Sequence, residues 1–211
     1  RRCYYFMLEI KRILTGAIQE NCYLIYNEKE CLIVDPGADA DKIIAAIQDL
    51  DIKPIAILLT HCHYDHIGAL EEVRNYFTIP VYVDPLEQSW LTDPELNLSS
   101  ALGQPPVSAQ PAEFEFSYQD YTLGDFNFKV VPTPGHSVGS VSFIFEDFVV
   151  SGDALFKGSI GRTDLPNGNF EQLIASITTQ LFTLPDSLAV YAGHGEVTTI
   201  GNEKATNPFF N

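Results

Sequence analysis

The chain has five histidines, His61, His63, His66, His136 and His194. Three of them fall in one run, Thr60-His-Cys-His-Tyr-Asp-His66, with Asp65 among them. The other two stand beside glycine, in Pro134-Gly-His136 and Ala192-Gly-His194-Gly, and Asp153 also follows a glycine in Ser151-Gly-Asp153. Imidazole and carboxylate together form a donor set suited to zinc, manganese or iron. Glycine beside a donor lets the backbone turn sharply and come close to a bound ion. A lone histidine on an apolar face is ordinarily a hydrogen-bonded core residue, and a lone Gly-His pair marks no more than a turn. Five histidines that all follow strand-like runs form a different pattern, and it points to a metal centre. His61 and His63, two apart on an extended segment, can face the same way. Asp65 and His66, at the start of the next helix, face a second position. Cys62 alternates with these ligands, so it should point away from them into packing.

The elements that must present these residues are short. Leu8–Leu14, Cys22–Tyr26 and Cys31–Val34 read as strands, and Asp35-Pro-Gly37 then breaks the pattern. A helix is expected over Asp41–Leu50, with Ile43, Ile47 and Leu50 on one face. Ile55–Leu59 is almost wholly apolar, as a strand covered on both faces should be. A second helix should start near His66, with Leu70, Val73 and Phe77 at helical spacing. Val81–Val83 reads as a strand, Pro85–Leu102 as weakly helical, and the proline-bearing Gly103–Pro111 as a loop joining two halves of one domain. Strands are expected again at Phe126–Val131, Ser140–Phe145, Phe148–Val150 and Leu188–Tyr191, with a helix over Phe170–Phe182 before the last. The irregular mixture fits layered sheets flanked by helices, an α+β arrangement.

Length and charge narrow the functions further. At 211 residues, with 45% hydrophobic residues, the chain suits one domain with a sizeable core, here taken as residues 1–211. The formal net charge of -16 repels phosphate backbones even after two divalent cations bind, so nucleic acid is not an expected partner. The four cysteines, Cys3, Cys22, Cys31 and Cys62, form no CxxC pair and read as free thiols in a reducing compartment. No apolar run approaches a membrane span, and the stretch after Arg1 and Arg2 is cut by Glu9, too early for a signal-peptide core. A cytoplasmic protein with no membrane partner is the expectation. Met7 is the only methionine, which would make residues 1–6 upstream sequence.

His61-x-His63-x-Asp65-His66, followed by His136, Asp153 and His194, resembles the ligand signature of the metallo-β-lactamase-fold superfamily, and within it the glyoxalase II (hydroxyacylglutathione hydrolase) branch. The resemblance runs over nearly the whole chain and includes Asp35-Pro-Gly37. It implies an αββα sandwich of two mixed sheets flanked by helices, with the site at one edge. It also implies two divalent metal ions, with zinc the first choice and iron or manganese open. His61, His63 and His136 would hold one ion, Asp65, His66 and His194 the other, and Asp153 would bridge them. Two departures stand out. Glyoxalase II enzymes carry a C-terminal helical domain that contributes basic residues to glutathione, and the stretch from His194 to Asn211 is too short to hold one. Where that family has Lys-x-Tyr, this chain has Arg162-Thr-Asp164, in a Gly161-Arg-Thr-Asp164 segment that resembles short glyoxalase II-like proteins and persulfide dioxygenases. Weak glutathione binding follows.

The reaction so implied is hydrolysis of a small acyl thioester, of the S-lactoylglutathione type, by a metal-activated water. Asp153 and Asp65 are then the catalytic carboxylates, Asp153 as the bridge and Asp65 as a ligand that also orients the water. Tyr64 and Arg162 are candidate substrate contacts, although Tyr64 could equally pack and Arg162 could equally pair with Asp164. Asp35 either supports the site or shapes its turn. Trp90 and the Gly103–Pro111 loop could border the pocket. The first rival is a mono-iron persulfide dioxygenase using His136, Asp153 and a histidine such as His61. A non-catalytic metal-binding protein is the second. A β-lactamase is less favoured because no export signal is evident, and a nuclease because the chain has no room for the inserted domains.

Overall fold

The computed structural model describes residues 7–101, 103 and 105–211. Cys3, Arg1, Arg2 and the reading of residues 1–6 as upstream sequence lie outside the described residues, as does Leu102. The strands in chain order are β1 (Glu9–Thr15), β2 (Glu20–Tyr26), β3 (Glu30–Val34), β4 (Lys53–Leu58), β5 (Val81–Val83), β6 (Phe114–Glu115), β7 (Asp120–Leu123), β8 (Phe126–Pro132), β9 (Val141–Ile144), β10 (Phe148–Gly152), β11 (Leu155–Phe156), β12 (Ser159–Ile160), β13 (Ala189–Ala192) and β14 (Thr198–Thr199). The helices are α1 (Ala40–Leu50), α2 (Tyr64–Ile67), α3 (Leu70–Phe77), α4 (Phe170–Ser176) and α5 (Ile200–Thr206), with a 3₁₀ turn over Pro85–Leu91.

Among the described residues the strands form two six-stranded sheets and one small hairpin, β11–β12. The first sheet runs β1-β2-β3-β4-β5-β6 and the second β14-β13-β10-β9-β8-β7. Both are mixed: β3, β4 and β5 run parallel, as do β10 and β13, while the hairpin neighbours are antiparallel. The period-2 alternation of side chains assigns each residue a layer. Tyr23, Ile25, Leu32, Val34 and Leu58 of the first sheet meet Phe126, Phe128, Val130, Phe143 and Val150 of the second in the central core. Their neighbours Cys22, Leu24, Cys31, Ile33 and Ile57 face the other way, onto Ile43 and Ile47 of α1 and Leu70 and Val73 of α3. Val149 and Val190 face outward from the second sheet onto Leu173, Ile177 and Leu181. The result is a four-layered αββα sandwich, as the resemblance implied.

Several expected elements change shape. The helix expected from His66 is broken into α2 and α3, where Ala69 N–H leaves the helical ladder to donate to the Pro36 carbonyl at 3.0 Å, and Gly68 beside it lies so close to the Gly37 carbonyl that a Cβ would stand 2.3 Å from it. Pro85–Leu102 is helical only to Leu91; beyond it Asn97 donates from Nδ2 to the carbonyls of Trp90 and Val107 and knits the segment into turns. The helix over Phe170–Phe182 widens into a π turn at Ile177–Leu181, where Phe182 N–H reaches the Ile177 carbonyl. The strands β6, β7, β11, β12 and β14 and the helix α5 had no sequence signal, being short or, in β6 and β7, exposed at a sheet edge. Cys22, Cys31 and Cys62 are free and buried, and no helix among the described residues is long and apolar enough to cross a membrane.

The central core keeps the two sheets in register, and Phe143 is fully buried within it, tilted against the ring of Phe116 and edge-on to that of Phe128. Phe143→Ala should lower the unfolding free energy by about 3–5 kcal/mol, the cost of an unfilled aromatic cavity. Urea unfolding of the two proteins checks this; a loss below about 1 kcal/mol would place the inter-sheet contact elsewhere.

Candidate metal centre

The donors gather because the strand ends that carry them lie at one edge of the sandwich. The segment after β4 brings His61 and His63, α2 brings Asp65 and His66, and the turns after β8, β10 and β13 bring His136, Asp153 and His194. Backbone hydrogen bonds stitch these turns together: Val141 N–H to the Thr60 carbonyl (2.9 Å), Gly193 N–H to Gly152 (2.8 Å) and Asn21 N–H to Gly193 (2.8 Å). Asn21 Nδ2 and the Tyr23 hydroxyl both donate to the Ala192 carbonyl, tying the first sheet to the turn before His194. Gly193 has no substitute here, since a Cβ would lie 2.0 Å from Asp153 Oδ1 and 2.7 Å from the His66 ring.

Three of the imidazoles have their tautomers decided by what lies behind them. His136 Nδ1 faces the Arg162 carbonyl at 2.8 Å, which only accepts, so the proton sits on Nδ1. His66 Nδ1 faces the Asp35 carboxylate at 2.8 Å. The Thr60 hydroxyl donates to Asp35 and can only accept from His61 Nδ1, 3.1 Å away. Each of the three therefore turns Nε2 inward, bare on His61 and His136 and facing the Asp153 and Asp65 carboxylates on His66. Asp35, in a left-handed backbone conformation (φ 50°), also accepts from Thr60 N–H, so it shapes its turn and supports two ligands at once.

Inward, the donors stand in two sets. His61, His63 and His136 form one and Asp65, His66, His194 and Asp153 the other. Asp153 lies between them: its carboxylate is 3.9 Å from His61 Nε2, 3.4 Å from His136 Nε2, 3.3 Å from His66 Nε2 and 3.5 Å from His194 Nε2. Asp65 Oδ2 is 3.4 Å from His66 Nε2 and 3.0 Å from His194 Nε2, and His63 Nδ1 is 3.0 Å from His136 Nε2. Donors bound tetrahedrally at zinc–nitrogen or zinc–oxygen lengths stand about 3.3 Å from one another, close to these values. His61 Nε2, His66 Nε2 and Asp153 Oδ1 are buried without a hydrogen-bond partner. Buried lone pairs facing one another are costly unless a cation or proton lies between them, and the residues present fit two divalent ions.

The protonation equilibria agree. Burial holds His61 well below the usual histidine range and His63 down at about 3, leaving both free to ligate. Burial also acts against protonation of His66, but the carboxylates of Asp153, Asp65 and Asp35 outweigh it and raise His66 well above its ordinary value. His194 is raised too, burial being outweighed by its bond to Asp65 and the charge of Asp153. Asp153 stays well below the carboxylate range because the attraction of His66 and the other imidazoles overcomes its desolvation.

A cavity of about 300 Å³ opens onto these groups. Ile18, Leu98, Phe156, Ile160 and Leu165 make its apolar walls, and Tyr64 and Arg162 also line it. Arg162 is exposed and engaged with Asp164 through two bonds of 2.7 and 2.8 Å, so it forms the ion pair that was its alternative to a substrate contact while it also lines the cavity. Cys62 is fully buried in the core, as its alternation required. Trp90 does not line the cavity; it stacks behind His63 at 5.7 Å. The described part of Gly103–Pro111 contributes nothing to the lining. Glu20 and Glu87, both buried beside the site, had no signal in the sequence, where each is one of 28 acidic residues. Glu20 accepts from the Thr15 hydroxyl and brings Oε1 to 3.7 Å from His66 Nδ1.

The family model of the metallo-beta-lactamase superfamily matches residues 15–194. The chain belongs to that superfamily. Among its superfamily relatives, a probable metallo-hydrolase of Streptococcus pyogenes serotype M6 is 47% identical, over 98% of this chain and 92% of its own. The hydroxyacylglutathione hydrolase GloC of Haemophilus influenzae is 38% identical, over 97% of this chain and 99% of its own. Among solved structures, BLEG-1 B3 metallo-beta-lactamase superposes with a TM-score of 0.94 at 48% identity, covering 96% of this chain and all (100%) of that one. TTHA1623 in a di-iron-bound form gives 0.84 at 36%, covering 94% and 99%. ETHE1 from Myxococcus xanthus gives 0.76 at 31%, covering 95% and 83%.

Because His66 and His194 hold protons more tightly than free histidine, metal uptake must displace protons. The sign follows: lowering the pH strengthens the competing protons and weakens metal binding, by about tenfold per pH unit for each proton released. Zinc titration of metal-free protein in buffers of different ionisation enthalpy should show proton release; uptake without protons would contradict this charge assignment.

Proposed function

We propose that the chain is a two-metal hydrolase of small acyl thioesters, of the S-lactoylglutathione type. The observation that carries the reading is Asp153, placed between two donor sets at one end of a small apolar-walled cavity. Two divalent ions held by His61, His63 and His136 on one side, by Asp65, His66 and His194 on the other, and shared by Asp153, would acidify a water and polarise a carbonyl. The chain's own residues do the rest. Asp65 presents a carboxylate to orient the attacking water, while Asp35 and the Arg162 carbonyl hold His66 and His136 in the tautomers that ligation needs. Ile18, Leu98, Phe156, Ile160 and Leu165 receive the acyl group and keep bulk water from it. A thiolate leaves without a proton, so thioester cleavage needs no separate acid.

The thiol carrier is bound lightly. Arg162 is the sole lysine or arginine lining the cavity among the described residues, and Asp164 already pairs with it. A net charge of -16 also opposes an anionic carrier such as glutathione. The similarity to GloC, which matches over 99% of its own length, supports the reaction class in a chain of this size. One observation favours a second reading: the 48% identity with BLEG-1 B3 metallo-beta-lactamase supports a β-lactam amide as an alternative carbonyl. A lactam nitrogen leaves only with a proton, so it asks more of the same residues.

Asp153→Asn keeps the shape of the side chain and removes the charge between the two sets. It should cost one metal and on the order of 10²-fold or more in kcat, with an unchanged circular dichroism spectrum. Retention of two metals and near-native kcat would overturn the role given to Asp153. For the wild type, turnover of S-lactoylglutathione without oxygen uptake is expected, with a KM that falls as salt screens the like charges. Oxygen uptake with a persulfide, or turnover of a β-lactam in preference to thioesters, would transfer the protein to the corresponding rival.

A further inference from the structure

Behind the three-histidine set lies a carboxylate that the chemistry above does not use. Glu87, on the 3₁₀ turn over Pro85–Leu91, is completely buried. Its Oε2 accepts from Cys62 N–H at 2.6 Å, and its Oε1 accepts from Gly139 N–H at 2.9 Å and from the Ser137 hydroxyl. Cys62 stands between His61 and His63, and Ser137 follows His136. A buried carboxylate is costly unless charge-assisted donors surround it, and here all three donors come from the two loops that carry one set of ligands. The approach is close: a Cβ on Gly139 would lie 2.8 Å from Glu87 Cγ. Asp84 holds the turn in place, accepting from Leu86 N–H and the Tyr118 hydroxyl. Trp90, one helical turn on, stacks on His63. The loops carrying Asp65, His66 and His194 make no bond to Glu87.

We infer that Glu87 is a positioning residue for one metal only: it clamps the His61–His63 loop to the His136 loop and so sets the spacing of the three-histidine site. The inference rests on the two-metal reading, and it gives the three-histidine ion a scaffold of its own in Glu87, whereas Asp35 reaches both sets, His66 directly and His61 through Thr60. Glu87→Gln keeps the volume and lets Oε1 hold Ser137 and Gly139, but it sets an amide N–H₂ against Cys62 N–H. The clamp opens with no cavity made.

The test is zinc affinity, measured by chelator competition on metal-free protein in two backgrounds. His194→Ala leaves the three-histidine site whole, and there Glu87→Gln should weaken zinc binding 10- to 100-fold, the usual effect of losing a partner that orients ligands. His136→Ala leaves the other site, and there the same substitution should change affinity by less than about twofold. The single tryptophan, Trp90, gives an independent reading, since its emission should respond to zinc in the first background and not in the second. Glu203→Gln, at an equally buried carboxylate bonded to Gly158, Thr198, Asn202 and Asn207, should alter neither affinity. Should Glu87→Gln fail to fold, Ser137→Ala removes one donor and should give the same asymmetry at smaller size. Equal weakening in both backgrounds, or none in either, would overturn the inference. A wild type that takes up only one zinc would instead overturn the two-metal reading, and the affinity measured in the His194→Ala background would still decide Glu87.

Discussion

Four imidazole nitrogens lie within 3.9 Å of the Asp153 carboxylate, and a second carboxylate, Asp65, meets two of the same nitrogens. Nearly all of these atoms are closed off from water, so their charges must be balanced locally. Without an ion the balance rests on protons held by His66 and His194. Two divalent ions, one to each donor set, would supply that balance instead. Much of the surrounding structure serves this requirement. Asp35, Thr60 and the Arg162 carbonyl present acceptors to the outward nitrogens and so turn Nε2 of His66, His61 and His136 inward, and Gly193 yields the space that a side chain would take.

The fold supplies the convergence. β3, β4 and β5 run parallel in one sheet and β10 and β13 in the other, so several strands deliver their C-terminal ends to the same edge. The aromatic core between the sheets then decides the distance across that edge, since Phe126, Phe128 and Phe143 leave little room for the sheets to slide. Function is thereby placed in turns too short to wander, fixed by a core that has no chemical role of its own.

The donor atoms were legible in the sequence because metal chemistry restricts them to a few residue types, and because glycine and the ends of apolar runs mark where each sits. All seven, His61, His63, Asp65, His66, His136, Asp153 and His194, come together as their spacing suggested. The central strands were legible for a related reason: residues covered on both faces must be apolar. What supports the donors was not. Glu87 acts through the backbone N–H groups of Cys62 and Gly139, which any residue offers, so no pattern of side chains announces it. The break after Gly68 depends on the Pro36 carbonyl, which takes the Ala69 N–H from a distant part of the chain, and a local reading of helical spacing runs through it. The edge strands β6 and β7 are two and four residues long, and β7 turns only Tyr121 and Leu123 to the core, too short a run for alternation to register. The sequence leaves two roles open to Arg162, and the structure shows the ion pair with Asp164 formed on the lining of the cavity.

The proposed hydrolysis depends on two cations sharing Asp153. Anomalous diffraction from crystals of metal-replete protein, collected on either side of the absorption edge of the metal found, tests it most directly. Two peaks about 3.5–4 Å apart are predicted, one against His61, His63 and His136, the other against Asp65, His66 and His194, with Asp153 in contact with both. A single peak at full occupancy, bound by a subset of these residues and leaving the remaining donors hydrogen-bonded to water, would contradict it.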